Sequence, residues 1–421
     1  MKLALLGTEL DILRLAAGAR EMGHEIAWMG DVRAEDAGVV ELLAPGLVNR
    51  SREWEVLLDG AIVDAVLVGR GTASTELRAE QLKRLAAEAI PLLVVHPVCD
   101  SVLPYYELDM TRRETGGIVR HYNPMVGHPI VAELAAWIRD GHPAIGPIHQ
   151  LSCERRLGDD NRADVLAHLA RDVELVTMAA GDIRRVTAVG PQTTGASFAS
   201  FQVQMSTAGP ASLRWSVRSS RGALSGFEMT LIGERGTVRL QNEDSDSSNQ
   251  KSKWQLETTA GDQLDRQTLR PYDPPRTAIE QLASAIGERN AERRAALSTW
   301  DAATRTMEVV DAVELSLEKG RTIDVYQQQL TERLAFRGTM AALGCGLLMV
   351  GFLAIVLVTL LGGAEGAVGR RLLPAWPLAL LAVLALFLVM QVIPLLVHKT
   401  GKSASQATRP SGGVEDGESD V

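Results

Sequence analysis

Two long uncharged stretches near the C-terminus constrain this chain more than any other feature. Residues 338–361 and 372–397 comprise 24 and 26 residues without a charged side chain. Because a hydrocarbon core of about 30 Å needs about 20 apolar residues in a helix, each stretch can cross a bilayer. The short segment between them holds Glu365, Arg370 and Arg371. The pattern predicts a two-helix transmembrane hairpin, and a core hairpin of a soluble domain is the alternative.

The basic residues around these stretches predict the orientation of the hairpin. The flanks carry more basic residues than the connecting loop, which has two arginines: they are Lys319, Arg321, Arg333 and Arg337 before the first stretch, and Lys399, Lys402 and Arg409 after the second. Because cytoplasmic flanks are enriched in Lys and Arg, both ends of the chain are expected in the cytoplasm. The N-terminal apolar run is too short for a signal peptide. Residues 326–337 are predicted to be a linker, and 398–421 a disordered acidic tail.

Composition excludes several functional classes for the remaining residues. The chain is 46% hydrophobic and 23% charged, which is typical of globular proteins. Its net charge of −9 argues against nucleic-acid binding, because no basic excess is present to neutralise phosphates. The three cysteines, Cys99, Cys153 and Cys345, are far apart and predict neither a disulfide framework nor a zinc site. No other metal-ligand spacing is present.

Residues 1–125 alternate apolar runs with helical patterns. The predicted strands lie at 2–7, 24–30, 63–69 and 91–96, and the predicted helices at 10–22, 34–43 and 76–89. Apolar strands that alternate with helices are typical of a parallel sheet covered on both faces. The segment is therefore predicted to be a Rossmann-like, doubly wound nucleotide-binding domain with its crevice at the carboxyl ends of the strands.

Residues 126–325 have a different pattern, typical of an α+β domain. A predicted helix at 164–180 is followed by a series of strand-like segments between 184 and 260. Polar and apolar residues alternate at 214–218 and at 237–240, which indicates a mostly antiparallel sheet with one solvated face. Two further helices, near 275–288 and 297–318, are predicted to close this domain.

Taken in order, these segments resemble the Gfo/Idh/MocA family, which is named after glucose-fructose oxidoreductase and inositol dehydrogenase. The resemblance covers about residues 1–325 and is carried by five places: KLALLG with HEIAWMGDV, VDAVLVG with PLLVVHPV, IGPIHQLSCERR, ADVLAHLARDVELVTMAAGDIRRVTAVG, and FEMTLIGERGTVRLQN with TMEVVDAVELSLEKGRTIDV. It implies binding of NAD or NADP and hydride transfer on a sugar- or polyol-like small molecule. It also implies homo-oligomers that pair through the open face of the second sheet.

The dinucleotide loop departs from the family's G-x-G-x-x-G pattern. Gly7 holds the first glycine position, but Glu9 and Ile12 hold the second and third. A carboxylate beside a diphosphate is repulsive by several kcal/mol at about 4 Å and intermediate dielectric. The alternative to a nucleotide-binding loop is a β–α turn in which these acidic side chains cap the helix and no nucleotide binds. Asp31, at the end of the second strand, is the candidate to bind the ribose hydroxyls.

Further residues at the strand ends complete the predicted cofactor site. Gly69, Arg70 and His96 are expected beside the nucleotide, and Arg70 could supply a compensating positive charge. The alternative for Asp31 is an ordinary turn residue at the end of its strand.

The resemblance also implies a catalytic group. His96 stands where the family has the lysine of Glu-Lys-Pro, and Asp164 and His168 keep the family's i, i+4 spacing on one helix face. His168 is the candidate for proton transfer, because the ordinary pKa of His is near 6.5. Asp164 would orient His168 or hold substrate, and His96 would partly replace the lysine. Alternatively, His168 pairs with Asp164 or Asp172 in a structural role.

Two functions from different classes remain open. The first is a membrane-anchored oxidoreductase that uses His168 with NAD or NADP. The second is a non-catalytic relative, held at the lipid bilayer as a binding or scaffold module.

Overall fold

The computed structural model describes residues 1–43, 53–59, 62–158, 160–191, 197–198, 200–219, 225–243, 253–288, 290, 293 and 296–325. The predicted spans at 338–361 and 372–397, the linker before them and the acidic tail lie outside the described residues. Within these ranges, no helix combines the length and the apolar character that a membrane crossing requires.

The first sheet has five parallel strands. They are β1 (Lys2–Leu6), β2 (Glu25–Gly30), β3 (Ala65–Val68), β4 (Leu92–Val95) and β5 (Val119–Tyr122), in the order β2-β1-β3-β4-β5. All residues of β3 and β4 are buried, because helices cover both faces. The chain leaves β1 for β2 on one side and then crosses to β3 on the other. The strand order therefore reverses between β1 and β3, where doubly wound folds have their crevice.

Four helices accompany this sheet: α1 (Leu10–Glu21), α2 (Ala37–Leu43), α3 (Thr75–Ala87) and α4 (Leu103–Thr115). A fifth, α5 (Ile130–Asp140), follows β5 but buries its apolar residues in the core of the second sheet. Capping residues explain where two of these helices begin and end. The Ser74 side chain accepts a hydrogen bond from the Leu77 amide and caps α3, and α4 ends at Gly116 in the left-handed region. The first three helices match the predicted ones closely.

The second sheet has nine strands in the order β13-β12-β11-β10-β6-β9-β8-β7-β14. Its strands are β6 (Ile148–Leu157), β7 (Arg185–Val189), β8 (Gln202–Ser206), β9 (Ser212–Ser219), β10 (Gly226–Gly233), β11 (Gly236–Glu243), β12 (Trp254–Ala260), β13 (Gln263–Thr268) and β14 (Ile323–Asp324). The pairing is antiparallel except for the parallel pair β6–β9, so the predicted mostly antiparallel sheet is confirmed.

The helix α6 (Arg162–Ala180) packs on the second sheet and places a buried ion pair there. The guanidinium of Arg155 on β6 pairs with Asp172, which also accepts a hydrogen bond of 2.9 Å from the Trp215 indole. Each charge of this pair is fully buried, and each has the partner that its burial requires.

After the second sheet, the chain returns to the first domain. The helix α7 (Pro274–Gly287) buries Ile279 and Leu282 in the core that β1 and α1 form. The helix α8 (Trp300–Lys319) packs Trp300 beneath β4 and α4. The two helices that were predicted to close residues 126–325 therefore pack in part against the first domain.

Candidate functional site

The turn after β1 retains the glycine geometry of a nucleotide-binding loop. Gly7 has φ +83°, and its amide donates a 3.0 Å hydrogen bond to the Gly30 carbonyl. A Cβ added at Gly7 would lie 2.6 Å from the Gly69 carbonyl oxygen, so another residue would not fit. The helix α1 follows this turn, and its N-cap Glu9 makes no side-chain capping bond. First-turn amides of α1 are thus left without a side-chain cap.

The Glu9 side chain reaches across the crevice between β1 and β3. Its Oε1 accepts a hydrogen bond of 3.3 Å from the Arg70 amide. Burial raises the pKa of Glu9, and Asp11 raises it further, whereas Arg171 lowers it. The carboxylate therefore occupies the space at which the strand order reverses. The sequence predicts that Glu9 repels a diphosphate here, and in the structure the Glu9 side chain itself occupies that position.

Asp31 lies at the end of β2, as predicted, but its carboxylate is engaged by the protein's own donors. It accepts hydrogen bonds from the Thr72 amide (3.0 Å), the Ala73 amide (3.3 Å) and the Thr72 hydroxyl. It also pairs with the guanidinium of Arg78. These groups hold the carboxylate where the resemblance implies ribose hydroxyls.

Arg78 on α3 is a residue that the sequence analysis missed. Its guanidinium is buried beneath the glycine turn and donates 2.9 Å and 2.8 Å hydrogen bonds to the Arg70 carbonyl and to Gln81. A Cβ at Gly7 would lie 2.6 Å from its Nη2. The pair of Arg78 and Asp31 thus ties the ends of β1, β2 and β3 together. Its helical position gave no signal, because an arginine on an amphipathic helix is normally exposed.

Arg70 connects the crevice to the loop after β4. Its Nε donates a 2.8 Å hydrogen bond to the Pro97 carbonyl, and its Nη2 lies 3.0 Å from Asp100. The prediction that Arg70 supplies positive charge near the crevice agrees with this position, although Asp100 shares the charge.

His96 follows β4 and is enclosed by protein. Its Nδ1 lies 3.4 Å from the Tyr105 hydroxyl, and its Nε2 has no hydrogen-bond partner within the described part of the chain. Burial lowers the pKa of His96 to about 3, so the ring is neutral at physiological pH. A neutral imidazole cannot supply the positive charge of a lysine. The expectation that His96 partly replaces the family lysine is therefore corrected.

A buried polar cluster adjoins His96, and the sequence analysis missed it too. The ring of His121 on β5 lies 5.9 Å from that of His96 and pairs with Glu174 of α6. Asn123 donates a 2.8 Å hydrogen bond to the other Glu174 oxygen. Burial alone would raise the pKa of Glu174, but His121, His96 and Asn123 lower it to about 2. Because β5 pairs with β4, His121 on β5 lies beside His96 at the end of β4, and recognising β5 as the next strand could have revealed this cluster.

His168 and Asp164 share a helix face, but they make no pair. The Asp164 carboxylate is exposed and accepts a 2.6 Å hydrogen bond from Asn161, the N-cap of α6. Asp172, the other aspartate considered as a partner of His168, is bound to Arg155.

The surroundings of His168 are cationic. Burial lowers the pKa of His168 well below its usual value, and the charges of Arg155, Arg171 and Arg70 lower it further. Arg171 binds the Asp11 carboxylate at 2.9 Å and donates a 2.9 Å hydrogen bond to the His96 carbonyl. A neutral imidazole therefore lies close to the ends of β1, β3 and β4.

Comparisons with known proteins were made at the levels of sequence and structure. Neither a protein-family profile nor a curated protein matches the sequence. Solved structures do match. A putative NADPH-dependent oxidoreductase from Desulfitobacterium hafniense gives a TM-score of 0.61 at 15% identity, covering 77% of this chain and 97% of its own. A 3-ketoreductase from Actinomadura kijaniata, in complex with NADP, gives a TM-score of 0.59 at 16% identity. That match covers 75% of this chain and 97% of the ketoreductase.

An oxidoreductase from Agrobacterium radiobacter, in complex with NAD⁺, L-tartaric acid and magnesium, gives a TM-score of 0.56 at 16% identity, covering 77% of this chain and 98% of its own. The chain has the fold of these oxidoreductases. The predicted fold class of the described residues, a Rossmann-like parallel sheet followed by an α+β domain, is thereby confirmed. Identities of this size establish the fold alone.

Proposed function

We propose that the chain binds NAD or NADP between the ends of β1 and β3 and acts as an oxidoreductase on a sugar-like small molecule. One observation carries the proposal: the left-handed Gly7 turn leads into the uncapped helix α1 at the strand-order reversal of a complete two-domain fold. A helix N-terminus of this kind attracts a diphosphate. The complexes of the Actinomadura and Agrobacterium proteins with NADP and NAD⁺ support the same cofactor class.

The residues fit a dinucleotide once Glu9 turns away and Asp31 exchanges its hydrogen-bond partners. Glu9 is held by a single long hydrogen bond of 3.3 Å, and its pKa is raised by burial, so this carboxylate is weakly stabilised. When it turns toward solvent, the amides of α1 and the Arg70 amide become available to the diphosphate. Asp31 would accept the ribose hydroxyls in exchange for its bonds from Thr72. The bound nicotinamide would supply the hydride acceptor or donor.

His168 is the proposed proton-transfer residue. Its imidazole is neutral and can accept the proton of a substrate hydroxyl, but burial and the neighbouring cations hold its pKa well below the value near 6.5 that the sequence suggests, so it is a weaker base than an ordinary histidine. The charges of Arg70 and Arg171 would offset this by favouring a developing alkoxide. Asp164 has no part in this proposal, because it binds Asn161. His96 supports the loop after β4 from within the core.

Titration of the full-length chain with NADH and NADPH tests the proposal. We expect saturable enhancement of nicotinamide fluorescence that His168→Ala leaves intact, together with loss of turnover on sugar and polyol substrates in that variant. His149→Ala, which removes an exposed histidine of the second sheet, is the matched control. Absence of binding at millimolar cofactor would overturn the proposal.

A non-catalytic module is the second candidate, and two observations favour it. The Glu9 carboxylate fills the crevice, and the buried, neutral His96 stands where the family has a lysine. The same titration separates the two candidates, since this one predicts no cofactor response in the wild-type chain.

Membrane anchoring is part of the proposal for either candidate. Residues 338–361 and 372–397 would form the hairpin, with the large domain and the tail in the cytoplasm. Flotation with liposomes, followed by protease accessibility from each side, tests both the anchoring and the orientation. Recovery of the intact chain in the lipid-free fraction would contradict it.

Self-association through the open face of the second sheet is a further proposal. That face carries cross-strand ion pairs, Arg218–Glu154 at 2.9 Å and Arg239–Glu228 at 3.2 Å, so a contact between copies would be polar. Mass measurement in detergent, at low and at high salt, tests it. Monomers under both conditions would oppose the pairing.

A further inference from the structure

A cavity of about 250 Å³ adjoins the crevice at Arg70, and Leu166 and Ala167, which precede His168 on α6, line it. Four segments form it: the end of β3, the loop after β4, the first turns of α6, and α8. Its volume lies below the range of about 300–1,000 Å³ that is typical of drug-sized ligands. The cavity therefore suits a compact occupant, such as a six-carbon chain or ring.

The cavity is apolar along its floor and charged at two places. Side chains of α6 and α8, including Leu166, Met307 and Val310, supply the apolar part. Arg70 pairs with Asp100 at 3.0 Å, and Arg162 on α6 pairs with Glu314 on α8 at 2.6 Å. Such a lining suits a molecule with an apolar carbon face and charged or hydroxylated edges.

Both arginines have contacts besides their acidic partners. Arg70 is fixed by the Pro97 carbonyl, and the guanidinium of Arg162 lies 5.8 Å from the centre of the Phe198 ring. Both ion pairs are partly open to solvent: Asp100, which also accepts a 3.2 Å hydrogen bond from the Thr75 hydroxyl, is 64% exposed, and Glu314 is 32% exposed. Exposed ion pairs contribute little, so these carboxylates can be exchanged at low cost.

Since each arginine keeps another contact when its partly exposed ion pair opens, the cavity can accept an anion in place of the acids. Guanidinium groups bind carboxylates by paired hydrogen bonds in a fixed plane. We propose that this cavity binds a polyhydroxylated carboxylate of monosaccharide size, with Arg70 and Arg162 binding its carboxylate groups. In taking this ligand as the substrate class, the inference rests on the proposed oxidoreductase function, but the binding itself requires no cofactor.

Three six-carbon probes that differ in the number of carboxylates test the inference. Calorimetry of the full-length chain, without dinucleotide, compares D-glucarate, D-gluconate and D-glucitol, which carry two, one and none. We expect affinity to fall about tenfold with each carboxylate removed. Equal binding of glucitol and glucarate, or no binding of any probe at 10 mM, would overturn the inference.

Two variants test the exchange of carboxylates directly. Glu314→Gln removes the competing acid, so we expect glucarate to bind at least threefold more tightly. Arg162→Gln should reduce glucarate affinity about tenfold, toward that of gluconate. Arg185→Gln, which breaks an exposed pair with Asp324 on the second sheet, is the control and should change nothing. Weaker binding in Glu314→Gln would overturn the inference, because a merely structural pair predicts that result.

The outcomes separate this inference from the proposed function. Normal NADH binding without a response to glucarate would overturn the cavity assignment alone. Glucarate binding in a chain that never binds NADH or NADPH would leave the cavity assignment standing and overturn the oxidoreductase.

Discussion

Replacement of Glu9 by glutamine tests how the crevice controls cofactor binding. The carboxylate lies against the Arg70 amide, in the place where a diphosphate would approach α1. Two unit charges about 4 Å apart repel by about 4 kcal/mol at an effective dielectric of 20 and by about 1 kcal/mol in water. A partly enclosed site lies between these limits, so Glu9→Gln should strengthen binding by about 2 kcal/mol, or roughly thirtyfold.

The assay is fluorescence titration with NADH at pH 7 and at pH 5.5, in low and in high salt. Because the pKa of Glu9 is raised, protonation at the lower pH should strengthen binding by the wild-type chain, while Glu9→Gln should lack this component. The gain should shrink as salt screens the charges. Glu88→Gln, which removes an exposed acid after α3, is the control. Equal affinities of wild type and Glu9→Gln at low salt would refute the reasoning.

Three further predictions concern stability, each measured by urea unfolding. Gly7→Ala should destabilise the fold by more than about 2 kcal/mol, whereas Gly23→Ala, also at positive φ but with nothing within 4 Å, should cost only about 1 kcal/mol. Asp31→Ala leaves Arg78 buried without its carboxylate and should cost about 3–5 kcal/mol, and adding Arg78→Met should recover much of this loss. The pKa of His96 is about 3 in the folded chain and about 6.5 in the unfolded chain, so only the unfolded chain takes up a proton as the pH falls below 6.5. The free energy of unfolding should therefore be highest above pH 6.5 and lower by about 2 kcal/mol at pH 5. His96→Phe should remove this part of the pH dependence of stability.

The strands of the first sheet were predictable where burial on both faces makes the sequence continuously apolar. This holds for β1, β3 and β4. The strand β5 was missed because it contains two polar residues. Its Arg120 is buried with partners far away in the sequence: Gln281 of α7 accepts a 2.7 Å hydrogen bond from it, and the Leu297 carbonyl accepts another. The strand β13 was missed because all its side chains are exposed.

The candidate site was predictable in position but not in its contacts. Glu9 was identified as the obstacle at the turn, and it fills the crevice. The i, i+4 spacing placed Asp164 and His168 on one face, yet the N-cap Asn161 binds that aspartate instead. A local capping residue outweighs a longer-range pair because it satisfies an otherwise unpaired helix amide at the same time. The partner of Asp31, 47 residues along the chain, carries no local signal at all.

The acidic turn also shows why charge counted along a sequence misjudges a site. Glu9 and Asp11 together suggest a turn that repels any phosphate. In the fold, Arg171 lies 2.9 Å from Asp11 and the Arg70 amide binds Glu9, so each acid is matched by a donor from another element. Displacing Glu9 would leave Asp11 neutralised by Arg171 and the Arg70 amide without its acceptor. Access of the diphosphate to the helix then depends on the Glu9 side chain rather than on the net charge of the turn, and the Glu9→Gln variant tests this.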